Sequence, residues 1–198
     1  MYEQDYVPGN PGASESLVVI SGCSGGGKSA LLAEMARRGH PTMAEPGRQI
    51  VKEQALIGGD ALPWRDIGQF VELCVSRAVY LYNSAPTGRP VLFDRSMVDA
   101  VAALERLGLA VPTHLRNALR RYRYASTVFM TPPWPELFAN DAERRHSFAD
   151  AVAEYTWLLQ SYPANGYAVV EIPRLGIAAR ADFLEQRLAR AASSNDRP

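Results

Sequence analysis

The sequence is poor in the features that mark several whole classes of protein. Among 198 residues there are two cysteines, Cys23 and Cys74. Neither stands at staple or metal-ligand spacing from a partner, which argues against a disulfide framework or a cysteine metal centre and points to a reduced, cytoplasmic setting. Neither sign of charge is in excess, with 21 basic and 21 acidic residues, so no field favours duplex DNA or an anionic membrane. No nucleic-acid partner is expected. No apolar run approaches the roughly 20 residues that span a bilayer, and no charged start leads into an apolar leader, so no membrane partner is expected either. Two local absences narrow the chemistry. The apolar run at 127–130 leads to Thr131-Pro132-Pro133-Trp134, not to the Asn-Lys-x-Asp of guanine recognition, which argues against a switch GTPase. The run ending at Asp94 is not followed by the glutamate common in water-activating ATPases; Arg95-Ser96 stands there instead.

What is present is a chain with 47% apolar residues, enough to bury one full core. It organises around Gly22-Cys23-Ser24-Gly25-Gly26-Gly27-Lys28-Ser29, which matches G-x-x-x-x-G-K-[ST]. An apolar run, 17–20, precedes it and a helical pattern follows, the strand, loop and helix context this pattern requires. Glycines let backbone N–H groups point inward, so Gly22, Ser24, Gly25, Gly26, Gly27, Lys28, Ser29 and Ala30 are expected to cradle the phosphates of a nucleoside triphosphate. Lys28 should reach the β- and γ-phosphates and the Ser29 hydroxyl should ligate Mg²⁺. Cys23 within this loop is expected to make nucleotide binding sensitive to thiol alkylation.

The remaining pattern alternates short apolar runs with helical periods. Strands are expected at 17–21, 41–44, 90–94, 127–130 and 168–172, and helices at 28–38, 66–84, 97–107, 113–122, 140–160 and 177–191. In the helix at 140–160 the inward stripe reads Phe148, Val152, Tyr155 and Leu159; in the last helix it reads Ile177, Ala181, Leu184 and Leu188. Residues 49–63, broken by Gly58-Gly59-Asp60 and Pro63, read as a mobile segment over the site. Trp64 beside it either stacks on an acceptor ring or anchors the core. Residues 1–16 and 193–198 read as flexible tails around one domain at 17–192. The fold expected is a doubly wound α/β domain with a five-stranded parallel sheet, order 2-3-1-4-5.

Two further motifs fall where strands empty onto the carboxyl edge of such a sheet, the side that binds ligands. Glu45-Pro46-Gly47-Arg48 follows the second strand; Glu45 and Arg48 either face the site or cap a helix starting near Gln49. Asp94-Arg95 ends the third strand. A guanidinium cannot take a proton from water but can hold an acceptor and stabilise transferring phosphoryl charge, so the pair leans towards transfer to a bound molecule. A structural ion pair is the plainer reading. Arg144, four residues before Phe148, is a candidate lid arginine, while Arg145 is placed to pair with Asp141.

The string Gly22–Ser29, Glu45-Pro46-Gly47-Arg48, Phe93-Asp94-Arg95-Ser96, Asn140-Asp141-x-Glu143-Arg144 and Gly166-Tyr167 resembles the AAA-like P-loop domain family that includes the ribosylnicotinamide kinase domain. More distantly it is similar to thymidylate and deoxynucleoside kinases. The resemblance implies ATP and Mg²⁺ as cofactors, with Lys28 and Ser29 at the phosphates and the metal, and Glu45 or Asp94 as base or metal-water ligand. It also implies Arg48 and Arg95 on a small-molecule acceptor and Arg144 on the phosphoryl group. A kinase acting on a nucleoside-like or other small metabolite is the leading expectation; a nucleotide-dependent regulatory switch acting on a protein partner is the alternative. Neither the acceptor nor an oligomeric state is assigned.

Overall fold

The computed structural model describes residues 15–138 and 147–195. Five strands, β1 (Leu17–Gly22), β2 (Thr42–Met43), β3 (Val91–Asp94), β4 (Thr127–Thr131) and β5 (Ala168–Glu171), form one parallel sheet in the order β2-β3-β1-β4-β5. This is the expected topology. The helices are α1 (Lys28–Arg37), α2 (Pro46–Ile57), α3 (Ile67–Asn83), α4 (Met97–Arg106), α5 (Thr113–Arg121), α6 (Phe148–Ala164) and α7 (Ile177–Asn195).

Strand periodicity divides the core into two layers. Leu17, Val19, Val91, Phe93, Val128 and Met130 face a layer built with α3, α4, α5 and α6. Val18, Ile20, Leu92 and Phe129 face the opposite layer, built with α1 and α7. Helices on both faces explain why the central strands read as unbroken apolar runs. The parallel register, with Ile20 opposite Asp94 and Gly22 opposite Thr131, brings the carboxyl ends of β1, β3 and β4 to one edge. No helix among the described residues is long and apolar enough to cross a membrane.

Several boundaries differ from expectation for identifiable reasons. Helix α2 begins at Pro46, not near Gln49, because proline suits the first helical position, and it runs unbroken to a left-handed Gly58 at φ 69°. The following residues are tied down, with Ala61 N–H donating to Gln54 Oε1 at 3.1 Å and Arg65 paired to Asp60 at 2.7 Å. Ala61 and Leu62 are buried. Residues 49–63 are therefore a helix and a packed turn, not the broken segment expected. Helix α6 carries its buried stripe on Ala151, Tyr155, Leu158 and Tyr162, leaving Val152 and Leu159 exposed. Counting large apolar residues chose the wrong phase because the small Ala151 and the polar tip of Tyr162 carry the inward face. Helix α7 extends to Asn195, into the span expected as a tail, and Ile177 at its start is exposed. Residues 1–14, the segment 139–146 with Asn140, Asp141, Glu143, Arg144 and Arg145, and residues 196–198 lie outside the described residues.

Candidate active site

The glycine loop is shaped by what lies against it. At Gly22 a β-carbon would overlap the Thr131 carbonyl of the adjacent strand, so β4 itself dictates glycine there. Gly27 takes a left-handed conformation, φ 76°, directly before α1, and contributes no side-chain cap. The first-turn N–H groups of α1 thus keep the anion-attracting character of a helix N-terminus, and Ser29 and Ala30 are exposed there. Lys28 is buried; its Nζ donates to Gly22 O at 3.0 Å and Cys23 O at 2.8 Å. Burial, then the Arg95 charge, lowers its pKa, opposed by Asp94, Glu45 and Glu154. Cys23, by contrast, points into the core. Burial raises its thiol pKa, so the expected alkylation sensitivity of the loop is corrected: the sulfur is neither accessible nor a ready thiolate.

The end of β3 is strained. Arg95 has φ 67°, the one positive φ outside glycine among the described residues, a conformation that side chains other than glycine, asparagine and aspartate rarely accept. Three carboxylates hold it there. Its Nη1 lies 2.9 Å from Glu154 Oε1 and 3.2 Å from Asp99 Oδ1, and its Nε 3.1 Å from Glu45 Oε1. Burial opposes its charge, but Glu154, Glu45, Asp99 and Asp94 outweigh that and push its pKa well above the ordinary value. Asp99 is anchored in turn by Ser21 Oγ, Tyr162 OH and, at 2.8 Å, Ser96 N–H. Asp94 is buried with Oδ1 unbonded among the described residues. Its pKa rises to about 6, chiefly from burial, with Glu45 adding to the rise and Lys28 and Arg95 opposing it.

Glu45 caps α2 by position only; its side chain makes no cap bond and reaches Arg95, with Arg48 Nε at 3.6 Å. The capping alternative for Glu45 is thereby removed. Glu154, from α6, accepts from Ser24 N–H at 3.3 Å as well as pairing with Arg95. Burial would raise its pKa, but Arg95, Lys28 and the Ser24 N–H hold it below the usual carboxylate range.

Two cavities open on this cluster. One, about 360 Å³, is lined by Ser24, Glu45, Arg48, Arg95, Asp99 and Glu154 on its polar side and by Trp64, Phe70, Ala103, Trp157 and Leu158 on its apolar side. The other, about 320 Å³, is lined by Ser29, Asp94, Lys52, Glu45 and Arg48. Glu45 and Arg48 belong to both. Trp64 is 45% exposed and faces the first cavity, so it is no core anchor. Lys28, Ser29, Glu45, Arg48, Asp94 and Arg95, expected from the sequence, are thus brought to one sheet edge; Arg144 lies outside the described residues.

Three residues of the cluster escaped the sequence reading. Asp99 had a signal, since Ser96-x-x-Asp99 forms a capping box at the start of α4. Glu154 had none beyond its place in a helical period, since its neighbours Ser24 and Arg95 are far away in sequence. Arg180, from the first turn of α7, donates through Nη2 to Gly26 O at 3.1 Å and is 2% exposed; in sequence it is one arginine among many.

A family model described as "AAA domain" matches residues 17–180. No curated protein matches the chain. Among solved structures, the chain is similar to a deoxyadenosine kinase from M. mycoides with dCMP and dCDP bound, at TM-score 0.62 and 14% identity, over 88% of this chain and 99% of that one. It is also similar to NadR in complex with NR, at TM-score 0.67 and 15% identity, over 89% of this chain and 52% of that one, so the chain spans about half of NadR. A shikimate kinase from Acinetobacter baumannii in complex with shikimate follows at TM-score 0.51 and 14% identity, over 93% and 97%. At these identities the likeness is one of fold, a P-loop kinase-like fold.

Proposed function

We infer that this chain, which belongs to the AAA domain family, is a small-molecule kinase that moves the γ-phosphoryl group of ATP–Mg²⁺ to a hydroxyl of a nucleoside-like or similarly sized metabolite. The observation that carries this reading is the pair of adjoining cavities. The one beside Ser29 and Asp94 suits donor phosphates, the other suits an acceptor with a flat apolar part, and Glu45 with Arg48 stands at their junction. A module that only hydrolysed ATP would not need an acceptor cavity walled by Trp64, Phe70 and Trp157.

In this reading the N–H groups of the loop, from Gly22 through Ala30, and Lys28 hold the phosphates, Lys28 exchanging its two loop carbonyls for them. Ser29 and Asp94 fit an Mg²⁺ ion: a hydroxyl and a carboxylate with an unbonded oxygen line the same cavity. When bound, the ion supplies charge neutralisation on the phosphates. Glu45 is the base, since it alone of the two candidate carboxylates lines both cavities. The acceptor oxygen bonds to the γ-phosphorus, the bond from that phosphorus to the ADP oxygen breaks, and the hydroxyl proton passes to Glu45. Arg48 and Arg95 hold the acceptor and the transferring group, with Asp99 and Glu154 keeping Arg95 aimed.

Release of ADP across a panel of nucleosides and other hydroxylated metabolites tests this. Slow release alone and strong stimulation by one class of acceptor is the expected result, abolished in Lys28→Ala. Release that no acceptor changes, but that a protein partner does, would favour the regulatory switch instead.

A further inference from the structure

We propose that Arg180 is a phosphate-binding residue of the donor site, a second cation beside Lys28 that grips the phosphate chain of the nucleotide from the α7 side of the loop. The proposal rests on the reading of the glycine loop as a nucleotide site, and it adds a residue that no motif of that loop contains.

Among the described residues Arg180 is a buried cation without a counterion. Within those residues it makes one side-chain hydrogen bond, Nη2 to Gly26 O at 3.1 Å, and its Nε finds no partner. No carboxylate pairs with it among the described residues, unlike Arg38, Arg77 and Arg95, each of which has at least one. Burial alone acts on its pKa, downward, with no acidic neighbour opposing. A guanidinium held in this way is costly, because buried charges are ordinarily paired and their remaining donors satisfied. Its position says which ligand would repay the cost. Nη1 lies 2.7 Å from where a β-carbon of Gly27 would be, so the cation sits against the last glycine before Lys28, with Leu137 on the same glycine. The Trp134 ring stands 6.0 Å from its Cζ. A planar fork of donors with unused N–H groups, beside backbone that presents its own N–H groups to an anion, matches phosphate chemistry. A structural brace for the loop would need only the Gly26 carbonyl and no charge.

The charge separates the two roles. Arg180→Met removes the cation but keeps apolar bulk, and replacing an uncompensated buried charge in this way leaves a fold as stable or more stable. Without ligand its thermal midpoint should equal or exceed that of the wild type. Calorimetric titration with ATP–Mg²⁺ and with inorganic tripolyphosphate–Mg²⁺ should show both weakened by about tenfold or more, the scale expected for losing one charge-assisted phosphate contact. A lower midpoint with tripolyphosphate affinity intact would make Arg180 a brace and overturn the proposal. Loss of ATP affinity with tripolyphosphate unaffected would assign it to the base or ribose and overturn it as well. Should Arg180→Met fail to fold, Arg180→Gln, which retains an N–H donor for Gly26 without the charge, must show the same loss for both ligands. A wild-type protein that binds neither probe removes the nucleotide site itself, whereas binding that Lys28→Ala loses and Arg180→Met keeps removes only this proposal.

Discussion

Asp94 is buried among other charges at a cost to the fold. Its pKa in the folded protein, about 6, lies above the 3.8 of an unperturbed aspartate, so the folded state holds a proton that the unfolded state has released. Stability must then fall as pH rises from about 4 to about 6, and the full penalty remains at neutral pH. Asp94→Asn removes the penalty. Without Mg²⁺, its thermal midpoint should exceed that of the wild type at pH 7.5 and converge on it near pH 4, while acceptor-stimulated ADP release is lost; a midpoint difference that does not change with pH would contradict the assignment. Arg95 is the opposite case, a cation on which three carboxylates depend. Arg95→Ala strands them and should cost about 3 kcal/mol or more of stability, which would confuse any kinetic result. Arg95→Lys keeps the charge but loses the planar fork. It should fold, bind ATP, and lower acceptor-stimulated turnover by about a hundredfold, the scale of losing an aligned donor to transferring charge. Turnover equal to wild type in Arg95→Lys would mean that the guanidinium serves only the ion-pair cluster.

At the scale of the element, α4 is the part that ties the fold to the site. Its first turn uses Ser96 and Asp99 reciprocally, Ser96 Oγ accepting from Val98 N–H at 3.0 Å and Asp99 accepting from Ser96 N–H at 2.8 Å. The same Asp99 carboxylate receives Ser21 from β1 and Tyr162 from α6, so one cap locks three elements beneath Arg95. Ser96→Ala should cost about 1 kcal/mol, the usual value of an N-cap, read as a lower urea midpoint with an unchanged slope. No shift in the midpoint would mean that the cap does not contribute. Helix α6 shows how element phase decides a site. With Ala151, Leu158 and Tyr162 inward, Glu154 comes to the flank that faces the loop, where it reaches both Ser24 and Arg95.

For the whole molecule, folding buries both thiols. Cys23 lies in the layer under α3, α4, α5 and α6, and Cys74, a buried residue of α3 whose pKa is pushed up to about 12 chiefly by burial, stands in the wall of the first cavity. Labelling by a disulfide reagent at pH 8 should therefore be slow, and the rate at Cys23 should rise with urea as global unfolding does. Fast labelling of native Cys23 would show that the loop opens locally. That result would restore the sensitivity that the sequence suggested.

The sequence by itself determined the phosphate loop and the sheet-edge placement of Glu45, Asp94 and Arg95, because each depends on residues adjacent in the chain: a glycine spacing, an apolar run and the turn that follows it; the order 2-3-1-4-5 was legible only through the alternation of strands and helices around those motifs. Only the tertiary structure decided what those residues face. Glu45 and Glu154 meet at Arg95 from helices more than a hundred residues apart, Arg180 reaches Gly26 across 154 positions, and Cys23, one residue into the loop, turns inward. Local pattern carries backbone shape and burial phase, and even that failed in α6, where alanine and tyrosine took the inward face. Charge compensation carries no such period. Which carboxylate neutralises which guanidinium is fixed by the parallel register and helix packing that bring distant chain segments to one edge of the sheet.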